Sequence, residues 1–246
     1  MKNLISSSTF LLMILLNLVS CQSDLIQENG QSELKTKSES FSIHVIYEEK
    51  DYYSLGYSLG DSLIIENQEL KSIIDNIFTN NNAVQTYLHP DGTIEYFDSK
   101  EKFQTKYPFN EIDIAPMNKM DTIKTKSNYY DQFDGYALMY DEINCKGIMQ
   151  DAVNMYNRVP QKFTIAHELF QKISSIEVHC NNISAPGVKA VLECYDQTSW
   201  KGNSLIVSGM WHQRLEDLSK VPCKNGTWND RICSVAFSVK VYNPFQ

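Results

Sequence analysis

From Ile176 to Val241 the chain alternates apolar and polar residues in four separate runs, and this pattern restricts the fold more than any other feature. Ile176, Val178 and Cys180 form the first apolar face, and Val188, Ala190, Leu192 and Cys194 the second. Leu205, Val207, Gly209 and Trp211 form the third, and Cys233, Val235, Phe237, Val239 and Val241 the last. A period of two puts such side chains on one face of a strand. Ahead of these runs, Ile148, Met149, Ala152, Val153 and Tyr156 trace a helical stripe. Pro160 then opens a second one, through Phe163, Ala166, Leu169, Phe170 and Ile173. Helices followed by strands on short connections predict an α+β fold, with helices packed on an antiparallel sheet.

The first half repeats the theme. Phe41, Ile43, Val45 and Tyr47 alternate as a strand does, and Leu70, Ile73, Ile74, Ile77 and Phe78 share one face of a helix that Asn80–Asn82 should end. His89-Pro90-Asp91-Gly92 is turn chemistry, Thr93 to Phe97 reads as a short strand, and Asp98 with Glu101 reads as the start of another helix. The lysine-bearing, aperiodic stretch 116–128 is the best boundary. It divides a first α+β unit, residues 41–127, from a second, residues 128–246, which carries the four-stranded antiparallel sheet.

Met1 and Lys2 precede an apolar run from Phe10 to Val19, the layout of a signal peptide over residues 1–21. The run is about half the ~20 residues a membrane span needs, so no membrane span is expected. Leu18-Val19-Ser20-Cys21 fits ordinary cleavage after Cys21, hence a secreted protein. It also fits a bacterial lipobox, in which Cys21 carries a lipid anchor at the envelope. Residues 22–40 are polar and aperiodic, as expected of a disordered tether. A net charge of −8 disfavours nucleic acid and anionic membrane as partners. Asn182-Ile183-Ser184 and Asn225-Gly226-Thr227 are glycosylation sequons, which makes Asn182 and Asn225 candidate acceptors in a eukaryotic host.

Five cysteines follow Cys21, all in the second half: Cys145, Cys180, Cys194, Cys223 and Cys233. An oxidising compartment favours pairing and leaves one over. Cys223 and Cys233 flank a turn-rich stretch and are the easiest pair to join in a disulfide, although Cys180 or Cys194 could lie nearer to Cys233 across the sheet.

Few residues point to chemistry. His167-Glu168-Leu169-Phe170-Gln171 looks like half of a zinc-protease helix. Gln171 stands where the second imidazole would have to be, so the stretch reads as structural. His179 and His212 fall on the polar faces of their strands, where each is a general base if that face lines a pocket and a solvated side chain if it does not. Tyr129, Tyr130, Phe133, Tyr136 and Tyr140 can line a ligand cavity or simply pack a core. The residues alone therefore assign no catalytic, cofactor-binding or metal-binding role.

One resemblance adds to this. Gly209-Met210-Trp211-His212-Gln213-Arg214-Leu215, with Asn225-Gly226-Thr227-Trp228 after it, resembles the last hairpin of nuclear-transport-factor-2-like domains. Leu88 to Gly92, the strand Thr93 to Phe97 and the helix Ser99 to Phe103 are similar to the opening of that fold. The resemblance implies a cone of curved sheet with helices across its mouth, once or in two tandem units, like small secreted proteins of nematodes. Such cones support both enzymes and non-catalytic binders. The expectation is a secreted, non-catalytic protein that binds a small apolar ligand or another protein. Its rivals are a cyclase or isomerase with an acid–base pair in a pocket, and a lipid-anchored bacterial surface lipoprotein.

Overall fold

The computed structural model describes residues 40–59, 62–111, 134–154, 161–181 and 187–242. The signal segment, Cys21, the tether up to residue 39, the 116–128 boundary and Asn182 lie outside the described residues. Among those described are sixteen strands, two α-helices and one 3₁₀ turn. The protein is mostly β, and this corrects the α+β expectation and the helix-capped cone implied by the resemblance.

The elements are β1 (Ser40–Tyr47), β2 (Lys50–Leu59), β3 (Ser62–Ile65), α1 (Gln68–Asn80), β4 (Gln85–Leu88), β5 (Ile94–Phe97), α2 (Lys100–Lys106) and β6 (Phe109–Glu111). There follow β7 (Gly135–Glu142), β8 (Lys146–Asn154), β9 (Gln161–Thr164), β10 (Ser175–Cys180), β11 (Val188–Gln197) and β12 (Lys201–Gly209). The chain ends with β13 (His212–Leu215), the 3₁₀ turn Leu218–Lys220, β14 (Pro222–Cys223), β15 (Gly226–Thr227) and β16 (Ser234–Tyr242).

A large sheet runs β3-β2-β1-β5-β4-β12-β11-β16-β6, with β9 also paired to β16, and a smaller one runs β13-β10-β7-β8. All four runs of alternation contain a strand, although Trp211 lies beyond β12 and is exposed and Cys233 precedes β16. They do not form one four-stranded sheet. β11, β12 and β16 belong to the large sheet, while β10 anchors the small one. β12 pairs in parallel with β4, so the large sheet takes strands from both of the expected units, and residues from Ser38 onward form one compact unit.

The core follows from strand parity. Ala137, Met139, Ile176 and Val178 of the small sheet and Leu192, Cys194, Leu205, Val207, Val235 and Phe237 of the large one are all buried in one cluster. Their inward faces stack as the two layers of a sandwich. α1 adds Leu70, Ile74, Ile77 and Phe78 to that cluster. Its N-cap Asn67 accepts from Leu70 N, and its C-cap is Asn81, as the asparagine run suggested. α2 is capped by Ser99 rather than Asp98, and its Phe103 covers Tyr87, Phe97, Val191 and Ile206 on the opposite face of the large sheet.

Among the described residues neither of the two helices expected between residues 148 and 173 forms, for two different reasons. β7 and β8 form a hairpin, turned by Asn144 (φ 61°) and Cys145 (φ 56°) and followed by Gly147 at φ 82°. Asp141 Oδ1 accepts from Ile148 N at 2.7 Å, and a Cβ on Gly147 would come within 2.1 Å of that oxygen. Ile148 and Met149, placed on a buried stripe by the helical reading, are exposed on this hairpin. The second stretch begins as β9, paired with β16, and continues through tight turns in which Leu169 N bonds Ala166 O and Lys172 N bonds Leu169 O. Gln171, at φ 55°, prevents continuous helix there. Leu169 and Ile173 still plug the core.

The β7–β8 hairpin has a twin. Tyr195-Asp196-Gln197-Thr198-Ser199-Trp200-Lys201-Gly202 joins β11 to β12 with left-handed Ser199 and Trp200 and with Gly202 at φ 82°. Asp196 Oδ1 accepts from Asn203 N at 2.8 Å, the role Asp141 plays in the first hairpin. The sequence Tyr-Asp-x-x-x-x-Lys-Gly thus occurs twice, each time building the same bulged turn.

Candidate functional site on the small sheet

β10 and β13 pair antiparallel with His179 opposite His212 and Glu177 opposite Arg214. β7 flanks the other side of β10, with Tyr136 opposite His179. Because side chains alternate, Tyr136, His179, His212, Glu177 and Arg214 share the face of the small sheet that points away from the core. The rings stack in series: Tyr136 on His179 at 4.3 Å and 10°, then His179 on His212 at 4.2 Å and 18°.

Glu177 is the hub of the charges. Arg214 Nε lies 3.2 Å from its Oε1, Tyr140 donates to Oε2 at 3.3 Å, and His179 Nε2 is 3.6 Å from Oε2. That last separation is too long for a hydrogen bond, and His179 Nε2 is buried with no partner among the described residues. Burial first, and then the neighbouring His212 ring, hold the His179 pKa below the ordinary histidine value against the opposing pull of Glu177. His212 Nε2 stands 4.0 Å from Glu177 Oε1, and its side chain is 48% exposed. Arg214 also donates to Asn144 O at 2.7 Å and approaches Cys145 Sγ at 3.2 Å.

Two histidines that the sequence put on polar strand faces are therefore brought together. Glu177, two residues from His179 on the same face, completes the group, and the sequence reading had not singled it out. Tyr136 and Tyr140 of the aromatic cluster sit here, on the solvent side of the small sheet; Tyr129, Tyr130 and Phe133 lie outside the described residues. His167 and Glu168 are exposed in a turn, and not on a helix.

Cys223 and Cys233 are free thiols, so the expected disulfide between them is not made. Cys223 donates to Thr227 O at 2.8 Å within the small β14–β15 hairpin, and Cys233 donates to Asp196 O at 3.3 Å. Each thiol is held by a different carbonyl, and burial pushes Cys223 up to about 12. Alkylation of the denatured, unreduced chain should label both. A peptide cross-linked from Cys223 to Cys233 would contradict this geometry. Asn225 is exposed at the tip of the same hairpin, at φ 57°.

Two glutamates, the buried Glu95 and the partly buried Glu193, carry the other dense polar networks. Glu95 on β5 meets His89 Nε2 at 3.1 Å and accepts from Lys106 at 2.6 Å and Tyr107 at 2.8 Å. Glu193 on β11 accepts from Tyr195 at 2.6 Å and Lys240 at 3.2 Å. Burial raises both pKa values, but the surrounding donors outweigh it and hold both below the ordinary range. No helix among the described residues is long and apolar enough to cross a membrane. No protein-family model, curated protein or solved structure matches this chain.

Proposed function

We propose that the chain is an exported, non-catalytic binding protein whose ligand or partner docks on the outer face of the small sheet. The observation that carries this reading is the stack Tyr136–His179–His212 beside the Glu177–Arg214 pair. Rings fixed by strand register and by one another lose little freedom when a partner docks. Trp211, next to His212, is 64% exposed, and Trp, Tyr and Arg are the residues that most often dominate binding energy. An acid–base enzyme instead needs a titrating group free to exchange a proton in a cleft. Glu95 and Glu193 are held as carboxylates by the donors around them, which suits a structural role, and neither lines the open clefts beside Gln171, Lys71 or His44.

A screen by amide chemical-shift mapping, using aromatic acids, saccharides and short peptides, tests the proposal. Binders should shift the amides of His179, His212 and Arg214. Trp211→Ala or Tyr136→Ala should weaken them at least tenfold. Binders that map to other surfaces and keep their affinity in both variants would overturn the proposal, and a binder converted to product would favour the acid–base enzyme.

A further inference from the structure

The ring stack and the glutamate hub have a second use. We propose that Glu177, His179 and His212 form a binding site for one divalent first-row transition-metal ion such as zinc. The proposal rests on the reading of this face as the recognition surface and gives it a defined ligand.

The three side chains place their ligand atoms within 4.8 Å of one another. Around an ion about 2.1 Å from each ligand, tetrahedral geometry needs ligand atoms about 3.4 Å apart. Glu177 Oε2 lies 3.6 Å from His179 Nε2 and Glu177 Oε1 lies 4.0 Å from His212 Nε2, and with all three ligand atoms within 4.8 Å the site closes by at most about 1.4 Å to grip an ion. Two imidazoles and one carboxylate select such an ion over calcium or magnesium, which prefer all-oxygen sets.

His179 Nε2 gives the independent sign. It is a buried polar atom with no hydrogen-bond partner among the described residues, it stands 3.6 Å from Glu177 Oε2, and Tyr136 stacked behind fixes its ring. Tyr140 bonded to Glu177 supplies the outer hydrogen bond that orients a ligating carboxylate. Two adjustments complete the site. The stacked rings hold their in-plane lone pairs parallel, so His212, the more exposed ring, tilts out of the stack to make them converge. Arg214 gives up Glu177 Oε1 and keeps its contacts with Asn144 O and with Glu216, which lies 3.4 Å away. The remaining coordination positions face solvent, where a carboxylate or imidazole of a partner can bind.

The test is titration of the untagged chain, stripped with chelator, first with cobalt(II) followed by its visible absorption and then with zinc by calorimetry. One ion per chain is expected, with zinc displacing cobalt. His179→Ala, His212→Ala and Glu177→Gln should each weaken binding at least tenfold. Exposed His167→Ala, with circular dichroism on every variant, separates loss of the site from loss of the fold. Absence of binding below millimolar concentration, or equal affinity in all variants, would overturn the proposal. Cobalt binding with every screened compound docking elsewhere would remove the recognition reading and leave the metal site. Compounds docking on this face without cobalt binding would do the reverse.

Discussion

Trp228→Ala should destabilise the protein by about 3–5 kcal/mol, the range for removing a large buried aromatic side chain. Trp228 is 1% exposed and packs in the main core, and its backbone N–H is tied to Val221 O at 2.9 Å. It belongs to the turn-rich segment between β15 and β16, which has little regular structure of its own, so side-chain packing holds that segment down. Its indole Nε1 is buried with no hydrogen-bond partner among the described residues. Leaving such a donor unmet costs about 1–3 kcal/mol. Trp228→Phe removes that donor while keeping most of the ring, so its cost should stay near 1–2 kcal/mol. Urea denaturation followed by far-ultraviolet circular dichroism reads both values. A loss below 1 kcal/mol for the alanine variant would mean that the β14–β15 segment is not seated on this core.

The same segment shows what local pattern can and cannot convey. Trp228 entered the sequence reading as part of the hairpin that carries the resemblance, yet it follows a two-residue strand and plugs the core. The runs at β10, β11, β12 and β16 were legible because a period of two survives wherever one face of a strand is buried. α1 was legible because five apolar residues at helical spacing had an asparagine terminator beside them. Ile148 to Val153 and Phe163 to Ile173 misled because a few apolar residues three or four apart fit a helix, an edge strand or a loop of tight turns equally well. What decides among these is long-range: β9 becomes a strand only because Val235 and its neighbours on β16 offer it a ladder. One local signal was present and passed over. The repeated Tyr-Asp-x-x-x-x-Lys-Gly announces two like hairpins, and its first copy marks residues 146–154 as a returning strand.

The site was legible to a similar depth. Strand parity put His179 and His212 on polar faces, and Glu177 lies on the same face by the same count. Nothing local said that β13 pairs with β10 in the register that stacks the two rings. The parallel pairing of β4 with β12 was equally hidden, because it joins residues from opposite halves of the chain. Such contacts arise from closing the whole sandwich, and no window of the sequence carries them.

Glu95→Ala should cost about 3 kcal/mol near neutral pH, the range for removing one partner from a buried charged group. Glu95 is 4% exposed at its side chain, and its two oxygens serve His89, Lys106 and Tyr107 together. Alanine removes the acceptor these three share. Lys106, 44% exposed, can turn to water, which keeps the cost at the low end of that range. Glu95→Gln keeps the shape and an acceptor oxygen but loses the charge, so about 1–2 kcal/mol is expected. The pH dependence separates charge from shape. Burial alone would raise the Glu95 pKa, but the donors prevail and the folded value lies below the ordinary one near 4.3. A carboxylate depressed on folding stabilises the protein above its unfolded pKa, and that stabilisation is lost as pH falls through the folded pKa. The gap between wild type and Glu95→Gln should therefore be full at pH 6–7 and shrink below about pH 4. Urea midpoints measured at several pH values test this. A gap that stays constant down to pH 3, or widens there, would show that Glu95 does not fold as a carboxylate held by its three donors.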